Sequence, residues 1–493
     1  MLLDPLAMRA RLSPAQPALW AEGHWYSYAE LEARATALAA ALATAGVRAG
    51  DRVALLAENS LSHFDLMHAA PRLGHIPVLC NYRLPLAEQA PLLDSIAPKL
   101  LLHDASQARA AAELGRPSWG PEELEARCRG VAGAPSAPTL GPEDTALILF
   151  TGGSTGRPKG ACISYRQQFY NQINTIVGWG LRPEDAVIQA TPCFHAAVNA
   201  LATPLLHLGG RVILQRRFEP EGYLELLGEQ GATLMFLVPT MYQMLSEAGG
   251  FAGADFSALR WAISGGAPCP APLRERFAAR GVAFRQGYGM TEAGVNCFAI
   301  SSEEARLRPA SVGRPMPYAQ AVVRDPRGRP LPDGEVGELT LAGPHLFSGY
   351  WRQPEASAEM LREGWLWTGD YARRDSQGFF SICGRRKEMY ISGGENVYPA
   401  EVEALLYGQP EIAECAVLGV PNPRWGEVGL AVLVAAPGAR IDLDRLRARL
   451  RDELAGYKRP CHYRIVDALP KTGAGKIDKP ALRRRYANEG VSA

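Results

Sequence analysis

The N-terminal part of the chain alternates between helical and strand patterns of apolar residues. A capping box at residues 27–30 precedes an apolar helical stripe, and Gly46 and Gly50 mark the end of that helix. The apolar runs at 52–57 and 76–80 are typical of buried strands, and a further helix lies between them. Because helices alternate with short apolar strands, the pattern predicts an α/β fold with a mainly parallel sheet.

The pattern changes twice further along the chain. A second α/β stretch runs from about 185 to 300, with apolar runs at 211–214, 234–238 and 261–264 that indicate strands. From about 310 to 383, turn pairs separate short β segments. This part predicts antiparallel strands packed as a partial barrel.

The last hundred residues have the pattern of an independent α+β domain. The predicted elements are a helix at 400–406, strands at 415–420, 430–434 and 463–466, and a helix with leucines at 443, 446, 450 and 454 that Gly456 closes. The boundary is expected near 384–388. We therefore predict an N-terminal domain over residues 1–386 and a C-terminal domain over residues 387–493.

The composition of the 493-residue chain is that of a globular protein, and its length suggests about three domains or subdomains. Since 52 Lys and Arg residues balance 51 Asp and Glu residues, nucleic acid and acidic membrane surfaces are poor partners. No apolar run approaches a membrane span, and the N-terminus lacks the pattern of a signal peptide. The nine cysteines include no Cys-x-x-Cys pair, which argues against disulfides. The nine histidines do not have the spacing of metal ligands, which argues against structural zinc. We expect a soluble cytoplasmic protein.

A glycine-rich loop, Thr-Gly-Gly-Ser-Thr-Gly-Arg-Pro-Lys-Gly at 151–160, follows the apolar run 147–150. Glycines let successive backbone N–H groups turn toward one anion, and the hydroxyls and the lysine add donors and charge. The loop is not a Walker A motif, in which Ser or Thr directly follows Gly-Lys, because Lys159 lies between Pro158 and Gly160. The loop predicts a nucleoside triphosphate site, with a surface linker as the alternative.

This loop resembles the signature loop of adenylate-forming enzymes, which include acyl-CoA synthetases, nonribosomal peptide synthetase adenylation domains and beetle luciferases. The usual pattern has Ser where this chain has Gly152 and Thr where it has Ser154, so one phosphate contact is absent or made by backbone. Four further segments match the family in order. The resemblance implies a large N-terminal domain of two α/β subdomains plus a β-rich partial barrel, and a small mobile α+β C-terminal domain.

Two of these segments, 264–268 (Ser-Gly-Gly-Ala-Pro) and 287–292 (Gly-Tyr-Gly-Met-Thr-Glu), resemble the family's adenine and metal segments. A ring between glycines can present its face to a base, and a carboxylate suits Mg²⁺, which prefers hard oxygen ligands. The resemblance implies that Tyr288 stacks on adenine, Thr291 donates to a phosphate and Glu292 holds Mg²⁺. A plain turn, a buried tyrosine and a surface glutamate are the alternatives.

The remaining two segments are Thr-Gly-Asp at 368–370 and the Gly-rich loop 470–476. One aspartate can accept from both ribose hydroxyls, so Asp370 is the expected ribose ligand, with Arg385 as its partner. Lys476 matches the family's catalytic lysine, and a flexible basic tail is the alternative. The residues assigned to ATP by the resemblance are Thr151, Gly152, Gly153, Ser154, Thr155, Gly156, Lys159, Gly265, Gly266, Ala267, Pro268, Gly287, Tyr288, Gly289, Met290, Thr291, Asp370, Arg385 and Lys476.

The resemblance implies a two-step ligation with ATP, Mg²⁺ and coenzyme A. A carboxylic acid attacks the α-phosphate of ATP to give acyl-AMP and pyrophosphate, and a thiol then displaces AMP. In the family the C-terminal domain swings between the steps, and its hinge lies at the position of Lys387. The expected catalytic residues are Lys476, His195, Thr291 and Glu292. The residues expected to line the coenzyme A tunnel are Ser392, Gly393, Gly394 and Trp425.

The segment 191–195, Thr-Pro-Cys-Phe-His, resembles the family's segment beside the acid. His195 would orient the acid or gate the second step, with a core histidine as the alternative. The chain has alanine where the usual pattern has a glycine soon after this histidine. The predicted pocket residues are His195, Ala196, Asn199 and Ala200, and their small size leaves room for a fatty or an aromatic acid.

Three other functions share part of this pattern. A stand-alone adenylation enzyme that loads a carrier protein uses the same first step, and a luciferase-type oxygenase has the same fold. A nucleotide-binding regulator without turnover would not need Lys476. The leading prediction is an ATP-dependent carboxylic acid–CoA ligase, with a homodimer left open.

Overall fold

The computed structural model describes residues 4–129, 133, 135, 138–151, 158–471 and 477–486. These residues form five sheets with helices between their strands. None of the helices in these residues is long and apolar enough to cross a membrane.

The first sheet contains both strands that flank the predicted phosphate loop. Its strands are, from edge to edge, Ser118–Trp119, Leu100–His103, Arg52–Leu56, Ile76–Cys80, Thr145–Thr151 and Lys159–Ser164. Neighbours are parallel except for the last pair, which is an antiparallel hairpin. The accompanying helices are Pro5–Leu12, Tyr28–Thr44, Leu61–Leu73, Leu86–Ile96, Ala108–Glu113 and Pro121–Cys128. The predicted capping box is confirmed, because Ser27 and Glu30 each accept from the other's backbone N–H.

The second sheet is also mainly parallel. Its strands are, in order, Phe284–Gln286, Trp261–Ser264, Leu234–Leu237, Ala186–Gln189, Arg211–Leu214, Pro17–Ala21 and His24–Ser27. The first residues of the chain thus complete a sheet built almost 200 residues later, which the apolar pattern did not predict. The helices of this unit are Tyr165–Trp179, Ala202–Leu208, Pro220–Glu229, Pro239–Glu247 and Ala271–Ala278.

An antiparallel sheet follows, as the turn-rich pattern predicts. It pairs, in order, Gln320–Arg324, Val336–Ala342, Trp365–Arg374 and Leu361–Arg362, and Phe380–Arg385 pairs with Trp365–Arg374. The sheet curls into a half-barrel, which confirms the predicted partial barrel. A two-stranded sheet, Phe298–Ala299 with Arg314–Pro315, and the helices Ser302–Leu307 and Pro354–Met360 complete this region.

The C-terminal sheet begins at Tyr390. Its strands are Glu395–Val397, Tyr390–Ser392, Gly426–Ala435 and Ile412–Asn422, with His462–Ile465 parallel to Gly426–Ala435. The helices are Pro399–Tyr407, Leu443–Glu453 and Lys479–Tyr486. The α+β prediction is confirmed, but Gly456 does not close the second helix. That helix ends at Glu453 because Leu454 turns to extended backbone and packs into the core.

Candidate active site

The antiparallel strands Thr145–Thr151 and Lys159–Ser164 hold the two ends of the predicted phosphate loop. Thr151 lies opposite Lys159 in the ladder, and its hydroxyl donates to the Lys159 carbonyl at 3.4 Å. The structure therefore places the first and last predicted ligands of the loop side by side. The predicted ligands that lie outside the described residues are Gly152, Gly153, Ser154, Thr155 and Gly156.

Tyr350 connects the end of that loop to the predicted metal ligand. The ammonium group of Lys159 lies 5.1 Å from the centroid of the Tyr350 ring. The Tyr350 hydroxyl donates to Oε1 of Glu292 at 2.8 Å. Burial, reinforced by the Glu292 carboxylate, raises the pKa of Tyr350, so the hydroxyl remains a donor. None of the predicted motifs contains Tyr350, whose only signal in the sequence is a Gly-Tyr-Trp run at 349–351.

The surroundings of Glu292 fit a bound Mg²⁺ ion. The residue is only 6% exposed, and within the described part of the chain its carboxylate accepts from Tyr350 and forms no ion pair with Lys or Arg. A buried carboxylate is costly unless it is paired or coordinates a metal. The described residues contain no cluster of three or more His, Cys, Asp or Glu side chains that could hold a metal alone. Glu292 therefore fits an ion that takes its other ligands from phosphates and water.

The two predicted adenine segments lie beside each other at the ends of parallel strands. Ser264 pairs with Gln286, and the Gly287 N–H donates to the Ser264 carbonyl at 2.8 Å. A side chain at Gly289 would place its Cβ only 1.8 Å from the Val295 carbonyl oxygen, so that position requires glycine. In open α/β sheets, ligands bind at this edge. The two segments that begin at this edge contain the predicted adenine residues Gly265, Gly266, Ala267, Pro268, Gly287, Tyr288, Gly289 and Met290.

Tyr288, Asp370 and Arg385, which were predicted from separate segments, meet in the structure. The Tyr288 hydroxyl donates to Oδ2 of Asp370 at 2.6 Å, and Nε of Arg385 lies 3.5 Å from Oδ1 of Asp370. Burial and then the Asp370 charge raise the pKa of Tyr288 well above its usual range. The edge contact between the Tyr288 and Phe298 rings, with centroids 5.8 Å apart, also holds the tyrosine. The base-stacking and ribose-binding candidates thus form one fixed unit.

The predicted acid pocket is only partly assembled around His195. This histidine is half-buried and precedes a short 3₁₀ turn, Ala196–Asn199. Ala196 and Asn199 line a small cavity to which Thr291 also contributes. Ala200 is fully buried, its carbonyl accepts from Asn296 at 2.9 Å, and it does not line that cavity. Of the four acid pocket candidates, Ala196 and Asn199 therefore share a cavity with the phosphate-binding candidate Thr291.

Two buried amides in the same cavity were missed by the sequence analysis. Gln167 donates through Nε2 to the Thr291 carbonyl at 3.0 Å, and Asn171 donates through Nδ2 to the Asn199 carbonyl at 2.9 Å. Their side-chain oxygens are buried and find no hydrogen-bond partner among the described residues. The signal in the sequence was that Gln167 and Asn171 are four residues apart and so lie on one face of the helix Tyr165–Trp179, which directly follows a buried strand. The side chains that line this cavity thus include two amide oxygens that no described residue pairs.

The coenzyme A candidates come together in the C-terminal sheet. Ser392 pairs with Gly426, and the Gly393 N–H donates to the Trp425 carbonyl at 2.8 Å. A Cβ on Gly393 would lie 2.7 Å from a ring carbon of Trp425, so the ring packs directly on this backbone. Gly394 follows with φ +89° and open space around it. The predicted segment is thus a narrow strip of backbone against one exposed tryptophan.

The predicted hinge lies in a turn between two sheets. Lys387 follows the strand Phe380–Arg385 and precedes Tyr390, and its carbonyl accepts from Arg483 at 2.8 Å. Burial and the neighbouring Arg385 lower the pKa of Lys387. Lys476 lies outside the described residues, and so do the four residues before it.

The family model of AMP-binding enzymes matches residues 6–351, and the model of the AMP-binding enzyme C-terminal domain matches residues 401–476. This chain belongs to the AMP-binding enzyme family. The family membership predicted from five short motifs is therefore confirmed over most of the chain.

Known members of the family match nearly the whole length of this chain. A feruloyl-CoA synthase from Amycolatopsis sp is 43% identical over 97% of both chains. ATP-bound MatB from Rhodopseudomonas palustris superposes with a TM-score of 0.90 at 33% identity, covering 99% of this chain and 100% of that one. The o-succinylbenzoate coenzyme A synthetase of Bacillus subtilis, in complex with ATP and a magnesium ion, has a TM-score of 0.89 at 28% identity, covering 97% and 99%.

These matches confirm the predicted fold class and the predicted enzyme class, an AMP-forming acid–thiol ligase. The roles of individual site residues and the domain boundary stay predictions.

Proposed function

We propose that the chain is an ATP-dependent carboxylic acid–CoA ligase whose acid is aromatic, of the hydroxycinnamate class. It joins the acid to AMP with release of pyrophosphate, and then transfers the acyl group to the thiol of coenzyme A with release of AMP. The observation that carries this proposal is the 43% identity to a feruloyl-CoA synthase over 97% of both chains.

The aromatic assignment rests on that identity and not on the cavity beside Thr291. The cavity wall combines apolar Leu149 and Ile163 with the amides of Gln167 and Asn171, but its volume of about 10 Å³ holds no more than one water molecule. The side-chain oxygens of both amides are fully buried and have no partner among the described residues.

In the first step the chain's own groups act mainly by position and charge. Thr151, Lys159 and the glycine-rich loop between them hold the phosphates, and Glu292 holds Mg²⁺. Magnesium, when bound, neutralises charge on the phosphate oxygens. Asp370, steadied by Tyr288, binds the ribose. Lys476 stabilises the negative charge that builds up where the carboxylate attacks the α-phosphate.

In the second step the coenzyme A thiol attacks the acyl carbonyl, and the bond from that carbonyl to AMP breaks. Gly393 and Trp425 line the path of the thiol. We divide the chain at residues 386 and 387, with Lys387 as the hinge between the two working orientations. All nine cysteines lie in described residues and are free thiols, which suits a reducing cytoplasm. The homodimer stays a prediction.

A panel of acids tests the proposal directly. The purified chain is incubated with ATP, Mg²⁺ and coenzyme A plus one acid from a set of hydroxy- and methoxycinnamates, benzoate, a straight-chain C8 acid and a dicarboxylate. AMP and acyl-CoA are followed by mass spectrometry. We expect acyl-CoA chiefly from the substituted cinnamates. Preference for the C8 acid would reject the aromatic assignment, and acyl-AMP that accumulates despite coenzyme A would favour the carrier-protein loader.

A lysine pair in the same segment supplies the mechanistic control. Lys476→Ala should lower acyl-AMP formation by roughly 10²–10³-fold, as loss of one charge-stabilising group typically does. Lys471→Ala removes a lysine of the same loop region whose ammonium group pairs with Glu414, and it should leave that rate within about twofold of wild type. Equal loss in both variants would contradict the role assigned to Lys476.

A further inference from the structure

A segment far along the chain, residues 347–351, lies against both halves of the phosphate and metal site. The Trp351 N–H donates to the Gly160 carbonyl at 2.7 Å, directly after the phosphate loop. The Phe347 N–H donates to the Glu292 carbonyl at 2.9 Å. The backbone of one short segment therefore ties the loop end to the segment that bears the metal ligand.

The side chain of Tyr350 lies between the two charged groups of that site. Its ring is 5.1 Å from the Lys159 ammonium group, and its hydroxyl donates to Oε1 of Glu292 at 2.8 Å. Only 9% of the residue is exposed. Lys159 and Glu292 have opposite charges, yet they do not form an ion pair with each other. Lys159 contacts the ring of Tyr350, and Glu292 contacts its hydroxyl.

We propose that Tyr350 is a positioning residue that keeps Lys159 and Glu292 apart and correctly aimed, so that the lysine meets a phosphate of ATP while the carboxylate meets the metal. The inference rests on the proposed function, since it assigns a task within the ATP half of that reaction. It adds a residue to which neither the sequence motifs nor the comparisons assign a role.

The physical reason is competition between internal and external partners. An ammonium group and a carboxylate in a half-dry site attract each other strongly, and an ion pair between them would satisfy both without ATP. The ring takes up the lysine through a cation–π contact. The hydroxyl fixes one carboxylate oxygen, so the carboxylate presents its other oxygen in a single direction. Both groups then meet Mg²⁺ and ATP without first breaking an ion pair.

Two substitutions separate the ring from the hydroxyl. Tyr350→Phe keeps the ring and removes the hydroxyl, and it should raise the Mg²⁺ concentration for half-maximal ATP use roughly tenfold, the usual effect of losing one hydrogen bond to a charged group. Tyr350→Leu also removes the ring, so Lys159 can pair with Glu292, and ATP binding should weaken further. Transfer of the acyl group from purified acyl-AMP to coenzyme A should be unchanged in both variants, because that step uses no pyrophosphate.

A binding measurement provides a readout that does not depend on turnover. Calorimetry with α,β-methylene-ATP, titrated with and without Mg²⁺, should show that Mg²⁺ strengthens binding to wild type and much less to Tyr350→Phe. The matched control is Tyr28→Phe, because the Tyr28 hydroxyl is also buried and donates to the Gly210 carbonyl at 2.7 Å, in a part of the fold away from the ATP candidates. It should bind as wild type does.

The outcomes distinguish this inference from the proposed function. If wild type makes acyl-CoA but Tyr350→Phe keeps the wild-type Mg²⁺ dependence of analogue binding, the inference on Tyr350 is wrong and the function stands. Equal loss in both half-reactions with a lower melting temperature would also overturn it. Should Tyr350→Phe not fold, Tyr350→Leu carries the test, because it also removes the hydroxyl that holds Glu292. It should show a raised Mg²⁺ requirement as well.

Discussion

The Trp425 ring lies so close to the backbone of Gly393 that there is no room for a side chain at position 393. Gly393→Ala would place a methyl group 2.7 Å from a ring carbon of Trp425, and the backbone there has φ +61°. We expect this variant to lower the rate of acyl transfer to coenzyme A about tenfold, because small displacements of groups that position a substrate have effects of that size or larger. Pyrophosphate release in the first step should be unchanged. Separate assays of the two steps measure the difference.

The adjacent glycine supplies the control. Gly394 has φ +89° with no atom within 4 Å of an added Cβ, so Gly394→Ala carries the backbone strain of about 1–2 kcal/mol without the contact with Trp425. It should affect acyl transfer less than Gly393→Ala. Equal effects of the two substitutions would show that strain, and not the ring, sets the rate.

At this scale the sequence predicts residues whose chemistry is visible in a short motif. The glycines around Tyr288 and the Thr-Gly-Asp at 368–370 point to a nucleotide through their resemblance to the family's segments, and the structure joins Tyr288 to Asp370. Tyr350 could not be found in this way, because its partner Glu292 is 58 residues earlier in the chain. Local spacing does not report which distant segments lie together.

At the scale of helices and strands, too, the sequence predicts local features but not which distant segments pair. The buried strands Arg52–Leu56 and Trp261–Ser264 were predicted because a parallel strand covered on both faces needs an uninterrupted apolar run. The sequence did not predict the hairpin formed by Pro17–Ala21 and His24–Ser27. Its first strand pairs with Arg211–Leu214, and that pairing depends on the topology of the sheet and not on the local pattern.

The C-terminal helix Lys479–Tyr486 is attached to the hinge region by a buried ion network. Nζ of Lys479 lies 2.9 Å from Oε2 of Glu388 and 2.8 Å from Oε1 of Glu403, and all three side chains are less than a quarter exposed. Burial opposes the charge on Lys479, but Glu403 and Glu388 outweigh it and raise its pKa. Burial likewise acts to raise the pKa of Glu388, but Lys479 outweighs it and the pKa is lowered.

Lys479→Met should therefore destabilise the C-terminal region by about 3 kcal/mol at neutral pH, because it removes the cation that both buried carboxylates contact. The value is at the lower end for a broken buried pair because Arg385 and Arg483 still act on Glu388. A lowered carboxyl pKa contributes stability above the ordinary pKa of glutamate, about 4.3, which is lost as the pH falls through the folded value. The cost of the substitution should thus shrink as the pH approaches 4. Amide hydrogen exchange of residues 388–471 at pH 7 and pH 4.5 measures it.

Lys458→Met is the matched control for this network. Its ammonium group also pairs with a glutamate, Glu401, at 2.7 Å, but the glutamate side chain is 44% exposed. An exposed pair of this kind contributes about 0–1 kcal/mol. If Lys458→Met lost as much hydrogen-exchange protection as Lys479→Met, the network's role would be contradicted. The same holds if the loss in Lys479→Met did not change with pH.

At the scale of the whole molecule, the backbone on the two sides of Lys387 is bound to different parts of the fold. The Arg386 N–H donates to the Gly369 carbonyl at 2.8 Å, within the half-barrel sheet. On the other side, Arg483 donates to the carbonyls of Lys387 and Glu388 at 2.8 and 3.2 Å. A change in orientation between the two parts must therefore be absorbed by the few bonds around Lys387.

Lys387→Pro should separate the two half-reactions if they need two orientations. Proline fixes φ near −65° and restricts the residue before it, so the turn can adopt fewer backbone states. We expect one step, measured by ATP–pyrophosphate exchange or by acyl transfer from purified acyl-AMP, to stay within about threefold of wild type while the other falls by about 10²-fold. Lys387→Ala removes the same side chain without the ring and should keep both steps. If both steps survive in Lys387→Pro, or if both fall equally without unfolding, the chemistry does not require the two parts to reorient at Lys387.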